Sequence, residues 1–169
     1  MDIRIEKTER AIKNAFLELR SRKPLGKITV KELCNLAAIN KSTFYSHYED
    51  IYALGTELAS RGISGTHIAC VGENSYKWVN IYLAVLCSDS VFVGIDKELP
   101  PADFLNILKE SDSEVLFYWR KTEDIIKEHM DELGKIKLFI GIDRTEDDGQ
   151  FLALDSFIEH GRELYKNGD

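Results

Sequence analysis

The chain has no apolar run near the roughly 20 residues that a membrane-spanning helix requires, and no leading signal peptide is visible, so it reads as soluble and cytoplasmic. Cysteine is sparse. Cys34, Cys70 and Cys87 are odd in number, contain no Cys-x-x-Cys pair and all sit in apolar runs, which excludes a disulfide framework and reads as buried free thiols. His47, His67, His129 and His160 lie far apart without metal-ligand spacing and read as surface or turn residues. The acidic run Glu146-Asp147-Asp148 offers too few oxygens at alternating spacing for calcium and reads as solvated. No metal, cofactor or catalytic constellation is therefore expected.

Charge is unevenly spread. Residues 1–50 carry ten Lys/Arg against seven acids, net +3, whereas residues 51–169 carry twelve against twenty-two, net −10, giving the overall −7. A basic front is thus hidden in an acidic chain. At 169 residues there is room for one core or two small ones, and the shift in charge and in hydrophobic period near residue 50 favours two.

The front reads as three helices. Ile12, Ala15, Phe16 and Leu19 form an apolar stripe on a helix of about 5–20, which stops before Pro24 and Gly26. Thr29 followed by Glu32 is a capping box, and Val30, Leu33 and Ala37, widened by Leu36, give the second helix its buried stripe. Asn40 caps a third helix from Lys41 to about Asp50, on which Phe44, Tyr48 and Ile51 face inward. Lys41, Ser42, Tyr45 and Ser46 then face outward with no acid before Glu49, a face suited to a phosphate-lined groove.

This run, ITVKELCNLAAINKSTFYSHYEDIY from Ile28 to Tyr52, resembles the DNA-binding domain of the tetracycline-repressor (TetR) family over about residues 1–55. The resemblance implies a recognition helix with base or groove contacts from Lys31, Lys41, Ser42 and Thr43. It implies phosphate contacts from Thr29, Tyr45 and His47, and double-stranded DNA as partner. Ala38 stands where that family usually has glycine, and alanine is tolerated there if the turn residue keeps a negative φ. The family's dimer-forming helices are not recognised downstream, so either the rest of the chain supplies a homodimer interface or the protein binds DNA as a monomer.

Past the third helix the chain alternates strand and helix. Strands are expected at 66–71, 90–95, 114–119 and 137–142, all short and continuously apolar, with helices at 75–87, 102–110, 123–133 and 154–165. This is a βαβαβαβα pattern, a parallel sheet covered on both faces, making the chain an α head plus an α/β lobe. The segment 51–61 is expected to be a helix shared by both. On the helix at 75–87, Trp78, Tyr82 and Val85 form one apolar side, widened by Ile81 and Leu86.

Leu54-Gly55, Arg61-Gly62, GENSYKW at Gly72 to Trp78, YLAVL at Tyr82 to Leu86, DKELPP at Asp96 to Pro101 and LDSFIEHGREL at Leu154 to Leu164 together resemble the N-terminal subdomain of AMP-forming acyl-CoA synthetases, in the long-chain-like branch. That resemblance covers about residues 51–169. It implies an adenylating enzyme, which grips ATP with a Ser/Thr/Gly-rich loop ending in Pro-Lys-Gly and uses a later lysine. Neither occurs here, and Gly72-Glu73-Asn74 is a poor anion cradle, better read as a strand-to-helix turn capped by Asn74 or Ser75. Adenylation by this chain alone is not expected. The leading reading is a DNA-binding transcriptional regulator with an incomplete synthetase-like lobe. The alternatives are the front of an AMP-forming acyl-CoA synthetase carrying a helical extension, and a gene fusion in which each half merely folds.

Overall fold

The computed structural model describes residues 3–23, 29–73, 75–88 and 90–167. The chain divides into two compact units, Met1–Glu49 and Asp50–Asp169.

The first unit contains α1 (Ile3–Arg22), α2 (Val30–Leu36) and the start of α3 (Lys41–Ser60). The expected stripe of α1 is buried, as are Leu33, Ala37 and Phe44. The capping box of α2 forms as its two residues dictate: the Thr29 hydroxyl accepts from the Glu32 amide at 3.3 Å, and the Glu32 carboxylate accepts from the Thr29 amide at 3.2 Å. Two expectations fail here. Leu36 is 41% exposed, because the helix ends at that residue and its side chain lies beyond the apolar stripe. Ala38 has φ +54 rather than a negative value. The reason is the helix terminus, where the Ile39 amide donates to Cys34 O at 3.0 Å and the Ala38 amide to Asn35 O at 3.3 Å. Those two bonds define a Schellman turn, which places its first residue past the cap in the left-handed region.

The second unit is a five-stranded, wholly parallel sheet in the order β2-β1-β3-β4-β5, with β1 (His67–Val71), β2 (Val91–Ile95), β3 (Ser113–Tyr118), β4 (Leu138–Gly141) and β5 (Phe151–Ala153). Between them run α4 (Tyr76–Cys87), α5 (Pro101–Glu110), α6 (Glu123–Glu128) and, after β5, α7 (Leu154–Asn167). β1 and β3 are buried along almost their whole length, as continuous apolar runs between two helical layers should be.

Four expectations are corrected. A fifth strand exists, pairing parallel to β4 with Phe139 beside Phe151. The apolar β2 is an edge strand rather than a buried one: only Ile95 is buried, and Val91 is 51% exposed. The helix expected at 123–133 breaks after Glu128 and resumes as a 3-10 turn at Met130–Glu132. On α4 the buried side is Val79, Ile81, Ala84 and Val85, while Trp78 and Tyr82 are half-buried and stack on each other. Among the described residues no helix is long and apolar enough to cross a membrane.

α3 is a single helix through Ser60, and its second-unit part packs against α7. At Gly161 a Cβ would sit 2.0 Å from Ala53 O, so only glycine permits this approach of the two backbones. Beside it Glu57 is fully buried and holds Arg61 Nε at 2.5 Å and His160 Nδ1 at 2.6 Å, while the Arg61 guanidinium covers the Phe157 ring. The Arg61 guanidinium, with the His160 ring beside it, thus compensates a carboxylate that would otherwise be costly to bury.

Candidate functional site

In an open parallel sheet ligands lie beyond the carboxyl ends of the strands, where the strand order reverses. Here β1 is flanked by β2 on one side and β3 on the other, so the reversal falls at the ends of these three strands. A cavity of about 160 Å³ lies at this point, lined by Val71 from the end of β1, Asp96, Lys97 and Leu99 after β2, Pro101 and Phe104 of α5, and Lys121, Thr122 and Ile125 after β3. Val71, Leu99, Phe104 and Ile125 supply an apolar floor, and two lysines stand at its rim.

The rim is held by hydrogen bonds that cross between the loops. Ser75 caps α4, accepting from the Trp78 amide at 3.2 Å, as the strand-to-helix turn required. Gly72 sits where a Cβ would meet Ile142 Cδ1 at 3.2 Å and the Trp119 ring at 3.4 Å, so the β1 turn lies close against two other strand ends. Lys77 donates to Ile142 O and to Asp155, and the Arg120 amide donates to Asp143 Oδ1 at 2.7 Å. Of the two rim lysines, Lys97 is paired with Glu73 at 3.3 Å and Glu98 at 3.4 Å, which raise its pKa. Lys121 forms no ion pair among the described residues and lies over the Trp119 ring at 5.9 Å.

Beneath β5 is a buried ionic node. Glu123 accepts from the Tyr118 hydroxyl at 2.9 Å and Arg144 at 2.5 Å and pairs with Lys127 at 2.7 Å. Burial alone would raise the Glu123 pKa. The bonds from Arg144, Lys127 and Tyr118 outweigh it and bring the carboxyl to about 2. Burial and the Glu123 carboxylate push Tyr118 well above the ordinary phenol value, so its hydroxyl is a fixed donor. Gly141 leaves the room that Arg144 needs, since a Cβ there would meet the arginine stem at 2.3 Å.

The residues proposed for DNA are distributed differently. Lys31, Lys41 and Ser42 are exposed on α2 and the first turn of α3. Thr43 is half-buried, and Thr29 is engaged in the capping box, its hydroxyl also donating to Glu32 at 2.9 Å. The side chains of Tyr45 and His47 lie outside the described residues. His67 is not the surface or turn residue expected: it is half-buried in β1, with Nδ1 2.5 Å from Ser111 O. His129 and His160 likewise have partners, in Ile125 O and Glu57. Cys34 and Cys70 are buried free thiols, and burial raises both pKa values; the side chain of Cys87 lies outside the described residues. No group of three metal-ligating side chains occurs among the described residues.

A sequence profile described as AMP-binding enzyme matches residues 20–160, the greater part of the chain. The chain belongs to the AMP-binding enzyme family. The match takes in residues 28–52, the segment read from the sequence as a helix-turn-helix. Nothing matches among the curated proteins. Solved structures of similar fold include an anthranilate CoA ligase in complex with anthranoyl-AMP, with TM-score 0.64 and 20% identity over 69% of this chain. They include coronafacic acid ligase from Pectobacterium brasiliense, at 0.62 and 21% over 69%, and the A-PCP didomain of carboxylic acid reductase from Segniliparus rugosus in complex with AMP, at 0.61 and 16% over 69%. The chain spans 22%, 24% and 20% of the length of those three. The likeness is one of fold: an α/β lobe with a five-stranded parallel sheet, like the N-terminal part of an adenylate-forming enzyme.

The rim lysines, Lys97 and Lys121, were not singled out from the sequence. Their signal was positional, since each lies within a few residues of the end of an apolar strand on either side of the first strand.

Proposed function

We propose that this chain is the front section of an AMP-forming acyl- or aryl-CoA ligase, and that its strand-end cavity holds a small carboxylic substrate. The observation that carries this is the cavity at the reversal of strand order, apolar within and lysine-rimmed, in a lobe belonging to the AMP-binding family. An apolar floor accepts the hydrocarbon body, and Lys121, which has no ion pair among the described residues, attracts the carboxylate. At about 160 Å³ the space suits a short acyl or single-ring acid rather than a long chain, being below the roughly 300–1,000 Å³ of drug-sized sites. The 169 residues alone form no adenylate in this reading, since they contain no Ser/Thr/Gly-rich loop ending in Pro-Lys-Gly.

The test uses the Trp78→Phe chain, in which Trp119, whose ring lies under the rim residue Lys121, is the remaining tryptophan. Titration with benzoate and with anthranoyl-AMP is expected to change Trp119 fluorescence saturably, with Lys121→Ala weakening the affinity about tenfold. No saturable change with either compound at millimolar concentration defeats the reading.

A second reading is retained because one observation favours it: α2, a Schellman turn and α3 are arranged so that Lys31, Lys41 and Ser42 are exposed together with the start of α3. In that reading the first unit is a tetracycline-repressor-type head that binds double-stranded DNA and the protein regulates transcription. Such binding depends steeply on salt, because each phosphate contact releases counterions. Fluorescence anisotropy with duplex DNA at two salt concentrations tests it. Binding that weakens with salt and is lost in Lys41→Ala with Tyr45→Ala supports the head; no binding at low salt removes it.

A further inference from the structure

The two edges of the sheet differ in a way that assigns one of them a partner. β5 is three residues long, bridged to Asp148 just before it, and its Ala153 amide is taken by Asp147 Oδ1 at 2.7 Å. It is a short, guarded edge. β2 is five residues long, pairs with β1 without a register shift, and contains no charge, proline or bulge in Val91-Phe92-Val93-Gly94-Ile95. The strand's own sequence thus supplies none of the charges, prolines or bulges that protect an edge from pairing.

The direction of its free groups follows from one bond. The Val91 amide donates to Thr66 O at 2.8 Å, so Val91, Val93 and Ile95 turn their backbone groups toward β1. Phe92 and Gly94 therefore turn their amides and carbonyls outward. We propose that β2 pairs antiparallel with β2 of a second copy of this chain, about a two-fold axis at Val93, forming one continuous sheet through both lobes. Only outward-facing residues can exchange hydrogen bonds, and the register that uses all of them sets Phe92 against Gly94 of the second copy, twice. Val93 then faces itself, and the half-exposed Val91 lies against Ile95 of the second copy on the same face.

On the other face the edge-on contacts of Phe92 with Trp78, at 5.3 Å, and Tyr82, at 4.9 Å, make an aromatic layer that reaches the edge. A second copy continues that layer.

Sedimentation of the full chain reads the outcome. The expected result is a reversible dimer of twice the 19.3 kDa chain mass. Val91→Lys, at a position exposed enough to leave the fold intact, weakens its dissociation constant tenfold or more. Register is read by cysteine linkage. Val93→Cys places two thiols in a non-hydrogen-bonded pair, with Cβ atoms roughly 4.5–5.5 Å apart, and is expected to cross-link under mild oxidation. Val91→Cys, which faces position 95, is expected not to link to itself. A chain that stays monomeric at 100 μM or higher, a dimer indifferent to Val91→Lys, association into open-ended polymers, or Val91→Cys linking as fast as Val93→Cys overturns the proposal.

Discussion

In the unit Met1–Glu49 the backbone and polar bonds named above join residues close in sequence, whereas in Asp50–Asp169 they join residues far apart. In the first, Thr29 meets Glu32, Lys23 meets Glu32 at 2.6 Å, and Ile39 closes on Cys34. In the second, Glu57 meets His160, Glu123 meets Arg144, and every strand pairs across a crossover. Local contacts close with little loop entropy but bury little; distant ones close slowly and, once made, fail together. The two units should therefore respond to substitution on different scales.

Gly161→Val carries the largest expected effect. The new side chain must displace the α3 backbone at Ala53 O, and overpacking against rigid backbone costs about 3 kcal/mol or more. Thermal unfolding followed by β-sheet circular dichroism should show the second unit lost at a much lower temperature. If that unit stays intact, the close packing of α3 on α7 is wrong.

Glu123→Ala comes next. It leaves Arg144 and the Tyr118 hydroxyl buried without their acceptor, and breaking a buried pair this way costs on the order of 3–5 kcal/mol. The pH dependence has a definite sign. A carboxyl lowered from its ordinary value to about 2 contributes stability that is complete above about pH 4.5 and is lost as pH falls toward 2. Urea midpoints between pH 6 and pH 3 should fall more for the native chain than for Glu123→Gln. Equal slopes would show that the node contributes nothing through charge.

The first unit should answer in smaller steps. Thr29→Ala removes the capping hydroxyl and is expected to cost about 1 kcal/mol. Ala38→Gly should act in the opposite direction, because alanine at φ +54 is strained and glycine is not, by about 1 kcal/mol. Amide exchange of α2 reads both without interference from the sheet. A destabilising Ala38→Gly would contradict the left-handed turn.

The same contrast explains what could be read in the sequence. Thr29 and Glu32 predict their own contact, since three residues separate them and the chemistry of one completes the other. The stripe of α1 is equally plain, because one face of a helix records its burial at regular spacing. β1 and β3 are legible as continuous apolar runs. β2 has the same composition and is exposed, because an apolar run does not state which strand lies beside it. β5 is hidden because Phe151-Leu152-Ala153 is only three residues long and leads without a turn into Leu154 of α7. The Glu123 node and the cavity rim join residues from separate crossovers, and only the strand order brings Lys97 and Lys121 to one opening. Ala38 shows the reverse case, where an expectation drawn from the residue was overruled by the backbone bonds around it.

The central claim is that the carboxyl ends of β1, β2 and β3 form a site for a small acid. The most direct measurement is a two-dimensional amide NMR titration of the uniformly labelled chain with anthranoyl-AMP. The account predicts saturable shifts at Val71, Gly72, Lys97 and Lys121, with Thr29 to Thr43 unmoved. Shifts confined to residues outside those strand ends, or none at all, would contradict it.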